Sequence, residues 1–177
     1  MAIYTRKGDK GRTSLFDGTK TSKSDLRISA VGTIDELNSL IGVCLLFVRN
    51  KTIKTELEKI QNDLFEIGGA LAYPHKMPAE TIYERASEFE KIIDQLTRKM
   101  PSLSNFILPG GGKAGSHLHL ARTVCRRSER RIVELSNKQN IDSEILVYLN
   151  RLSDLLFTFA RFENQRDRKK EKVWRKR

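Results

Sequence analysis

The hydrophobic residues of this chain recur every three or four positions in five long segments, which is the spacing of an amphipathic α-helix. The five segments cover residues 24–50, 52–72, 79–100, 113–138 and 142–167. No alternating run of β-branched residues exceeds a few positions, so the pattern predicts an all-α protein, a five-helix bundle. Ser24 and Asp142 are the predicted N-caps of the first and fifth helices.

Polar residues interrupt two of these apolar stripes. In the first helix Asp35 and Asn38 fall within the segment GTIDELNSLIG, and in the fifth helix Asn150 and Asp154 lie one turn apart. A carboxylate near a core either lies just outside it or meets a cation, for which an arginine of the fourth helix is the candidate. Asparagine is unfavourable inside a long helix, so Asn150 is a candidate for a packing or ligand-binding role.

Arginines cluster on one side of the fourth helix. Arg122, Arg126 and Arg130 are spaced by four residues, and Glu129 lies near the same side. A solvated face with salt bridges explains this pattern. A site for a polyanion explains it equally, since arginine binds phosphate through two parallel hydrogen bonds.

Two glycine-rich stretches, residues 4–18 and 108–115, have no helix of their own. The second, LPGGGKAG, superficially resembles a phosphate-binding loop. However, Ile107 stands where that motif requires glycine, and Ala114 stands where it requires serine or threonine. It also follows no predicted strand, so the alternative is a flexible entry into the fourth helix.

A length of 177 residues predicts one domain, which we place at residues 1–165. Its expected parts are an N-terminal loop and a helical bundle, followed by a basic tail, at residues 3–23, 24–165 and 166–177. The net charge of +11 is concentrated at the two ends, because the first 27 residues carry +4, the last twelve carry +6 and the rest only +1. We therefore expect the tail to be a solvated extension. A nearly neutral body argues against a nucleic-acid-binding protein.

The two cysteines, Cys44 and Cys125, fall inside apolar helical patterns without a CxxC partner. This predicts buried free thiols and a reducing, cytoplasmic location. No apolar run reaches the roughly 18 residues of a membrane helix, and no signal sequence is evident, so we expect no membrane association. His117 and His119 point to different sides of their helix and no Glu-x-x-His occurs, so no metal held by protein ligands is predicted.

Several segments together resemble the PduO-type ATP:cob(I)alamin (corrinoid) adenosyltransferases, over residues 3–165. These segments are IYTRKGDKGRTSLFDG, AVGTIDELNSLIG, FILPGGGKAGSHLHLARTVCRRSERRIV and LNRLSDLLFTFAR, in that order. The resemblance implies a five-helix bundle with ferritin-like up-down packing that assembles as a homotrimer, with ATP and a corrinoid bound at the subunit interfaces. It also implies transfer of the 5′-deoxyadenosyl group of ATP to cob(I)alamin, which forms adenosylcobalamin and releases triphosphate.

The resemblance further implies that two separate groups of residues bind ATP. In the N-terminal loop, backbone N–H groups, hydroxyls and ammonium groups would wrap the triphosphate with its Mg²⁺. The implied contacts of this loop are Thr5, Arg6, Lys7, Gly8, Asp9, Lys10, Thr13, Ser14 and Lys23. The second group consists of Arg126, Arg127, Ser128, Glu129, Arg130 and Asn150. Arg126 is expected to touch phosphate oxygens, and Mg²⁺ is expected to arrive with ATP.

The expected catalytic residues follow from the same resemblance. Phe106 resembles the aromatic residue that fills the space beneath the corrin ring and displaces the lower axial ligand, which makes Co(I) accessible to a biological reductant. Asp35 and Arg122 resemble a pair that bridges adjacent subunits beside the corrinoid, and Arg126 completes the set. Because Co(I) is itself a strong nucleophile, the protein has to supply positioning and electrostatics but no general base.

The chain departs from the family at Arg6-Lys7-Gly8, where members usually have Lys-Thr-Gly or Lys-Asn-Gly. Lys76 is the candidate for a lysine that some members send to ATP from between the second and third helices. The N-terminal loop is predicted to order only with ATP, because it has little apolar surface to offset its ordering entropy. Expected partners are a reductase and adenosylcobalamin-dependent enzymes. The alternatives are a helical nucleic-acid-binding module that uses the arginines and the tail, and a non-catalytic ATP-sensing trimer.

Overall fold

The computed structural model describes residues 3–73, 77, 78 and 80–176. Its helices are α1 Leu26–Phe47, α2 Lys51–Ala72, α3 Thr81–Thr97, α4 Lys113–Ser136 and α5 Ser143–Arg166. The all-α prediction of five helices is confirmed. Two short strands, β1 Arg12–Ser14 and β2 Lys20–Ser22, pair antiparallel within the N-terminal loop, which sequence reasoning did not predict. The predicted candidate Lys76 lies outside the described residues.

Side chains cap α1, α2 and α5 at their starts. The prediction of Ser24 as the N-cap of α1 is wrong: the cap is Asp25, whose carboxylate accepts a hydrogen bond from the backbone N–H of Arg27 at 2.8 Å. The hydroxyl of Ser24 instead pairs with that of Ser22. Asp142 is confirmed as the cap of α5, because it accepts from the N–H of Glu144 at 2.9 Å.

The five helices share one apolar core. α4 packs against both α1 and α5, while α2 covers α1 and α3 covers α5. The largest fully buried side chains include Tyr148, Phe89 and Phe159. Fully burying one large apolar side chain stabilises the fold by about 1.5–3 kcal/mol, so this core holds the long helices in fixed register. That register is what positions the polar side chains on the outer faces of α4 and α5.

A buried cation joins α3 to α2. Arg85 of α3 forms ion pairs with Glu56 and Asp63 of α2, the latter at 2.7 Å, and Tyr148 of α5 also donates to Asp63 at 2.9 Å. Burial by itself would lower the pKa of Arg85, but its hydrogen bonds to the two carboxylates raise it above the ordinary value. This charge network therefore fixes α3 against the rest of the bundle.

Helix α1 is the most apolar of the five helices. It is long and apolar enough to cross a membrane, with a mean hydropathy of 1.5, which corrects the expectation that no segment meets this criterion. Packing against α2 and α4 buries one face of the helix, including Ile34, Leu37 and Ile41, and accounts for part of this character. Val43 and Leu46 lie on the outer face and are 38% and 77% exposed. Exposed apolar side chains near the C-terminal end of a helix are typical of a surface that another chain covers.

Candidate functional site

The N-terminal loop presents its cations to solvent. The backbone N–H of Lys23 donates to the carbonyl of Gly11 at 2.9 Å, which closes the base of the hairpin. The side chain of Lys23 then extends over Gly8, and its Nζ lies 3.0 Å from where a Cβ at that position would be. Arg6 and Lys7, just before this contact, are exposed. The structure therefore brings Lys23 next to the Arg6-Lys7-Gly8 segment.

A second cationic surface lies on the outer side of α4. Arg126 and Arg130 are exposed, and a guanidinium N–H of Arg130 donates to the backbone carbonyl of Arg126 at 3.0 Å. Glu129 accepts a hydrogen bond from the side-chain amide of Asn150 on α5 at 3.0 Å. The structure thus brings the acidic member of the RRSER run next to Asn150, with arginines on either side.

Two neighbours in the same run are engaged within the fold. Arg127 forms an ion pair with Glu36 of α1. Ser128 is completely buried, and its hydroxyl donates to the carbonyl of Thr33 on α1 at 2.9 Å. The hydroxyl of Ser128 therefore holds α1 against α4 and does not lie on the surface with the arginines.

The two predicted halves of the ATP site remain separate in one chain. Within the described ranges, no hydrogen bond or ion pair joins residues 5–23 to residues 126–130 or to Asn150. A cavity of about 1040 Å³ lies beside the hairpin, lined by Lys20 and Arg27 among others, but it contains none of the predicted site residues. A single chain thus carries both halves without closing them around one ligand.

Asp35 and Arg122 are also unpaired with each other. Asp35 is exposed on α1, and no ion pair links it to the fourth helix among the residues that the structure describes. Arg122 is half-buried, and its Nε is a buried donor without a partner in that same part of the chain. Burial and the nearby charge of Arg126 lower the pKa of Arg122. The guanidinium of Arg122 thus lacks the acidic neighbour that its environment favours.

Phe106 lies on the connection between α3 and α4, and its side chain is 83% exposed. The C-terminal tail pairs with this connection through an antiparallel bridge between Ile107 and Val173. The carbonyl of Phe106 accepts from the N–H of Trp174 at 2.8 Å. The expectation of a solvated extension is therefore wrong for this part of the tail, because its backbone is bonded to the segment that carries Phe106.

Sequence reasoning missed two buried polar residues near Phe106. His119 is 3% exposed and neither ring nitrogen has a hydrogen-bond partner among the described residues; burial, and secondly Arg122, lower its pKa. It lines a cavity of about 290 Å³ together with Asn164 of α5. The available signal for Asn164 was the same as for Asn150, an asparagine inside a long helix.

Reactive groups of other kinds are not assembled. In the described part of the chain, no group of three or more His, Cys, Asp or Glu side chains is placed to hold a metal ion. Cys44 and Cys125 are buried, and burial raises the pKa of Cys44 to about 12 and raises that of Cys125 as well. Both thiols therefore stay protonated at neutral pH, and the exposed candidate groups of the site are cations, the amide of Asn150 and the ring of Phe106.

Comparisons with known proteins agree on one family. The sequence model of the Cobalamin adenosyltransferase family matches residues 3–163. Corrinoid adenosyltransferase MMAB of Bos taurus is 43% identical over an alignment of 183 positions, which covers 98% of this chain and 76% of that protein. A corrinoid adenosyltransferase of Bacillus subtilis (strain 168) is 45% identical over 171 aligned residues, which cover 94% of this chain and 88% of the relative.

Solved structures show the same likeness. A variant PduO-type ATP:corrinoid adenosyltransferase from Lactobacillus reuteri, complexed with cobalamin and ATP, superposes with a TM-score of 0.94 at 36% identity. The match covers 99% of this chain and 100% of that one. A second variant from the same organism, complexed with ATP, gives a TM-score of 0.90 at 38% identity, with 98% and 100% covered.

Proposed function

Since the chain belongs to the cobalamin adenosyltransferase family, we propose that its two exposed cationic surfaces bind one ATP between neighbouring copies. The chain is an ATP:corrinoid adenosyltransferase. It transfers the 5′-deoxyadenosyl group of ATP to cob(I)alamin, which forms adenosylcobalamin and releases triphosphate. The family comparisons favour this activity over the nucleic-acid-binding and ATP-sensing alternatives.

The proposed site is supported by the observation that its two halves are exposed and that no hydrogen bond or ion pair joins them within the described part of one chain. The loop around Gly8 offers the exposed cationic side chains of Arg6, Lys7 and Lys23. Arg126 and Arg130 offer guanidinium groups that suit phosphate oxygens. A triphosphate carries enough negative charge to draw both surfaces together when they belong to different copies of the chain. Mg²⁺ would arrive with ATP and neutralise part of the triphosphate charge.

The copies would assemble as a homotrimer. The outer face of α1 exposes Val43 and Leu46, which an adjacent copy would remove from water. The same helix places Asp35 at an exposed position, and α4 carries Arg122, whose Nε has no hydrogen-bond partner among the described residues. An ion pair between Asp35 of one copy and Arg122 of the next satisfies both groups, beside the place proposed for the corrinoid.

Phe106 is the residue proposed to act on the corrinoid. Its exposed ring fits the role of an apolar wedge that occupies the lower face of the corrin and excludes an axial ligand. Losing that ligand makes Co(II) easier to reduce, and the resulting Co(I) attacks the C5′ carbon of ATP, so that the C5′–O bond breaks and triphosphate leaves. Cys44 and Cys125 are buried and protonated, in agreement with a reaction that needs no protein nucleophile.

The cellular setting follows from this chemistry. Reduction of the corrinoid requires an electron donor, for which we propose a reductase, and the product would serve adenosylcobalamin-dependent enzymes. We propose a cytoplasmic location, since both cysteines are free thiols. Neither a nucleic acid nor a membrane has a place in the proposed reaction.

The test supplies ATP, Mg²⁺ and chemically reduced cob(I)alamin to the purified chain and follows the absorbance change as adenosylcobalamin forms. Turnover is expected, and sedimentation should give three copies per particle. An equimolar mixture of Asp35→Ala and Arg126→Ala chains should recover activity that neither variant has alone, because some interfaces then hold two intact halves. If wild-type protein forms no product, the proposed activity is wrong. If the mixture does not recover activity, the shared site is wrong.

A further inference from the structure

The position of the Phe106 side chain depends on how the backbone that carries it is held. Its side chain is 83% exposed and so has little packing of its own to fix it. A ring that excludes an axial ligand has to stay in place in competition with that ligand, so the backbone segment that carries the ring needs rigid support. The residues that hold the connection from Pro101 to Gly112 are therefore candidates for a role in the reaction.

One buried amide holds the end of this connection. Asn164 of α5 is 3% exposed, and its Nδ2 donates to the carbonyl of Gly110 at 2.8 Å. Its Oδ1 accepts from the backbone N–H of Gly112 at 2.9 Å. The side chain of Asn164 thus uses both its donor and its acceptor on the two flanks of Gly111, and it holds the turn that leads into α4.

The glycines beside Asn164 leave room for this contact. A Cβ at Gly111 or at Gly115 would overlap the side-chain amide of Asn164. Gly111 also has a φ of 117°, which L side chains rarely adopt. The glycine-rich stretch that superficially resembled a phosphate loop is therefore occupied by a protein amide.

An ion pair holds the start of the connection and the tail. Arg161, one turn before Asn164 on α5, is 6% exposed and binds Glu171 of the tail with its Nε 2.6 Å from the carboxylate. Its Nη2 donates to the carbonyl of Pro101 at 3.0 Å. Just beyond Glu171, the tail bonds to the segment around Phe106 through two backbone hydrogen bonds, each 2.8 Å long. Three side chains, Arg161, Asn164 and Glu171, thus tie α5 to both ends of the connection; we call them the clamp.

We infer that Asn164 is a positioning residue for the adenosyl transfer, and that the clamp it forms with Arg161 and Glu171 sets where Phe106 stands beneath the corrin ring. This inference rests on the proposed role of Phe106 and extends it. The sequence model of the family matches residues 3–163, so two of the three clamp residues lie beyond the matched region. The clamp acts before the transfer, when the axial ligand of Co(II) has to be excluded.

The test compares two starting substrates in the full-length protein. Cob(II)alamin with a reductant requires the wedge, whereas chemically prepared cob(I)alamin bypasses it. In Asn164→Ala the rate from cob(II)alamin should fall about tenfold or more, the factor that corresponds to 1.4 kcal/mol, while the rate from cob(I)alamin stays within about twofold. Electron paramagnetic resonance of cob(II)alamin with ATP should show a smaller fraction without an axial ligand. Gln165→Ala is the matched control, since its amide makes only a 3.4 Å contact with Lys99.

A second variant guards against a general folding defect. Glu171→Gln lies outside the helices, removes one charge from the Arg161 pair and should show the same selective loss to a smaller degree. The inference about the clamp is wrong if each variant lowers the rates from cob(II)alamin and from cob(I)alamin by the same factor. It is also wrong if both variants keep the wild-type rate from cob(II)alamin. If wild-type protein is inactive even with cob(I)alamin, the proposed function fails instead, so the two failures are distinguishable.

Discussion

Replacing Gly115 by alanine should destabilise the protein, although alanine is the better helix former. Gly115 lies inside α4, where this substitution ordinarily stabilises a helix by about 1 kcal/mol. Here the added Cβ would overlap the buried side-chain amide of Asn164. That amide would have to move away and release its hydrogen bonds to Gly110 and Gly112.

The magnitude follows from these two opposing effects. Each buried backbone group that loses its partner costs about 1–3 kcal/mol, and two such groups are released. After the gain in helix propensity is subtracted, the net loss in unfolding free energy should be about 1–5 kcal/mol. Gly68→Ala in α2 is the matched control, because its Cβ would meet only Ile34, at an ordinary contact distance of 3.7 Å. That variant should gain up to about 1 kcal/mol.

The assay is denaturant unfolding followed by circular dichroism, with all three proteins at the same protomer concentration, since an oligomer's stability depends on concentration. The two substitutions should shift the unfolding midpoint in opposite directions. A Gly115→Ala protein as stable as wild type, next to a Gly68→Ala protein that behaves as expected, would refute the close packing between Asn164 and α4.

Three further predictions concern charged and titrating groups. Arg126→Ala should weaken ATP binding about tenfold or more in equilibrium dialysis, because a charge-assisted phosphate contact is lost. Arg131→Ala is the control and should bind ATP like the wild type, because the ion-pair partner of Arg131 is on its own helix. Equal ATP affinities of the two variants would contradict the proposed site. Arg85→Met should lose about 3–5 kcal/mol of unfolding free energy, since Glu56 and Asp63 of α2 lose the buried cation that they share, and a loss under about 1 kcal/mol would contradict this. Burial raises the pKa of Cys44 to about 12 and also raises that of Cys125. Above about pH 9 the unfolded chain therefore releases thiol protons that the folded chain keeps, so the unfolding free energy should decrease as the pH rises to about 12. A double Cys→Ala variant should lose less stability over that range, and an unchanged slope would contradict the assignment.

The helices were predictable because their apolar spacing is a local property of the sequence. In each segment the apolar spacing indicates which face is buried. Asp142 caps α5, as its residue type and its position before the helix predict. The start of α1 shows the limit of local reasoning. Ser24 and Asp25 are both good caps, and the hydrogen bond between Ser24 and Ser22 in the adjacent hairpin decides between them.

The contacts that position Phe106 were not predictable, because they join residues far apart in the chain. Composition alone describes the tail as basic and solvated, but Glu171 has a buried partner in Arg161. Arg85 was missed for the same reason, since a charged residue on an amphipathic helix is expected to face solvent. The two exposed halves of the candidate site were predicted from the resemblance to the adenosyltransferase family. That resemblance contains information on how copies assemble, which the structure of a single chain does not contain.

The two glycine-rich stretches show why composition does not define a phosphate site. At Gly11, with a φ of 72°, no atom of the described residues lies within 4 Å of where a Cβ would be, so that glycine supplies backbone conformation in an open loop. At Gly111 the φ is also positive, but the space is filled by Asn164, and the nearby backbone groups are already bonded. The open loop near Lys23 therefore has room and exposed cations for a triphosphate, whereas the turn before α4 is already filled and is suited to supporting Phe106.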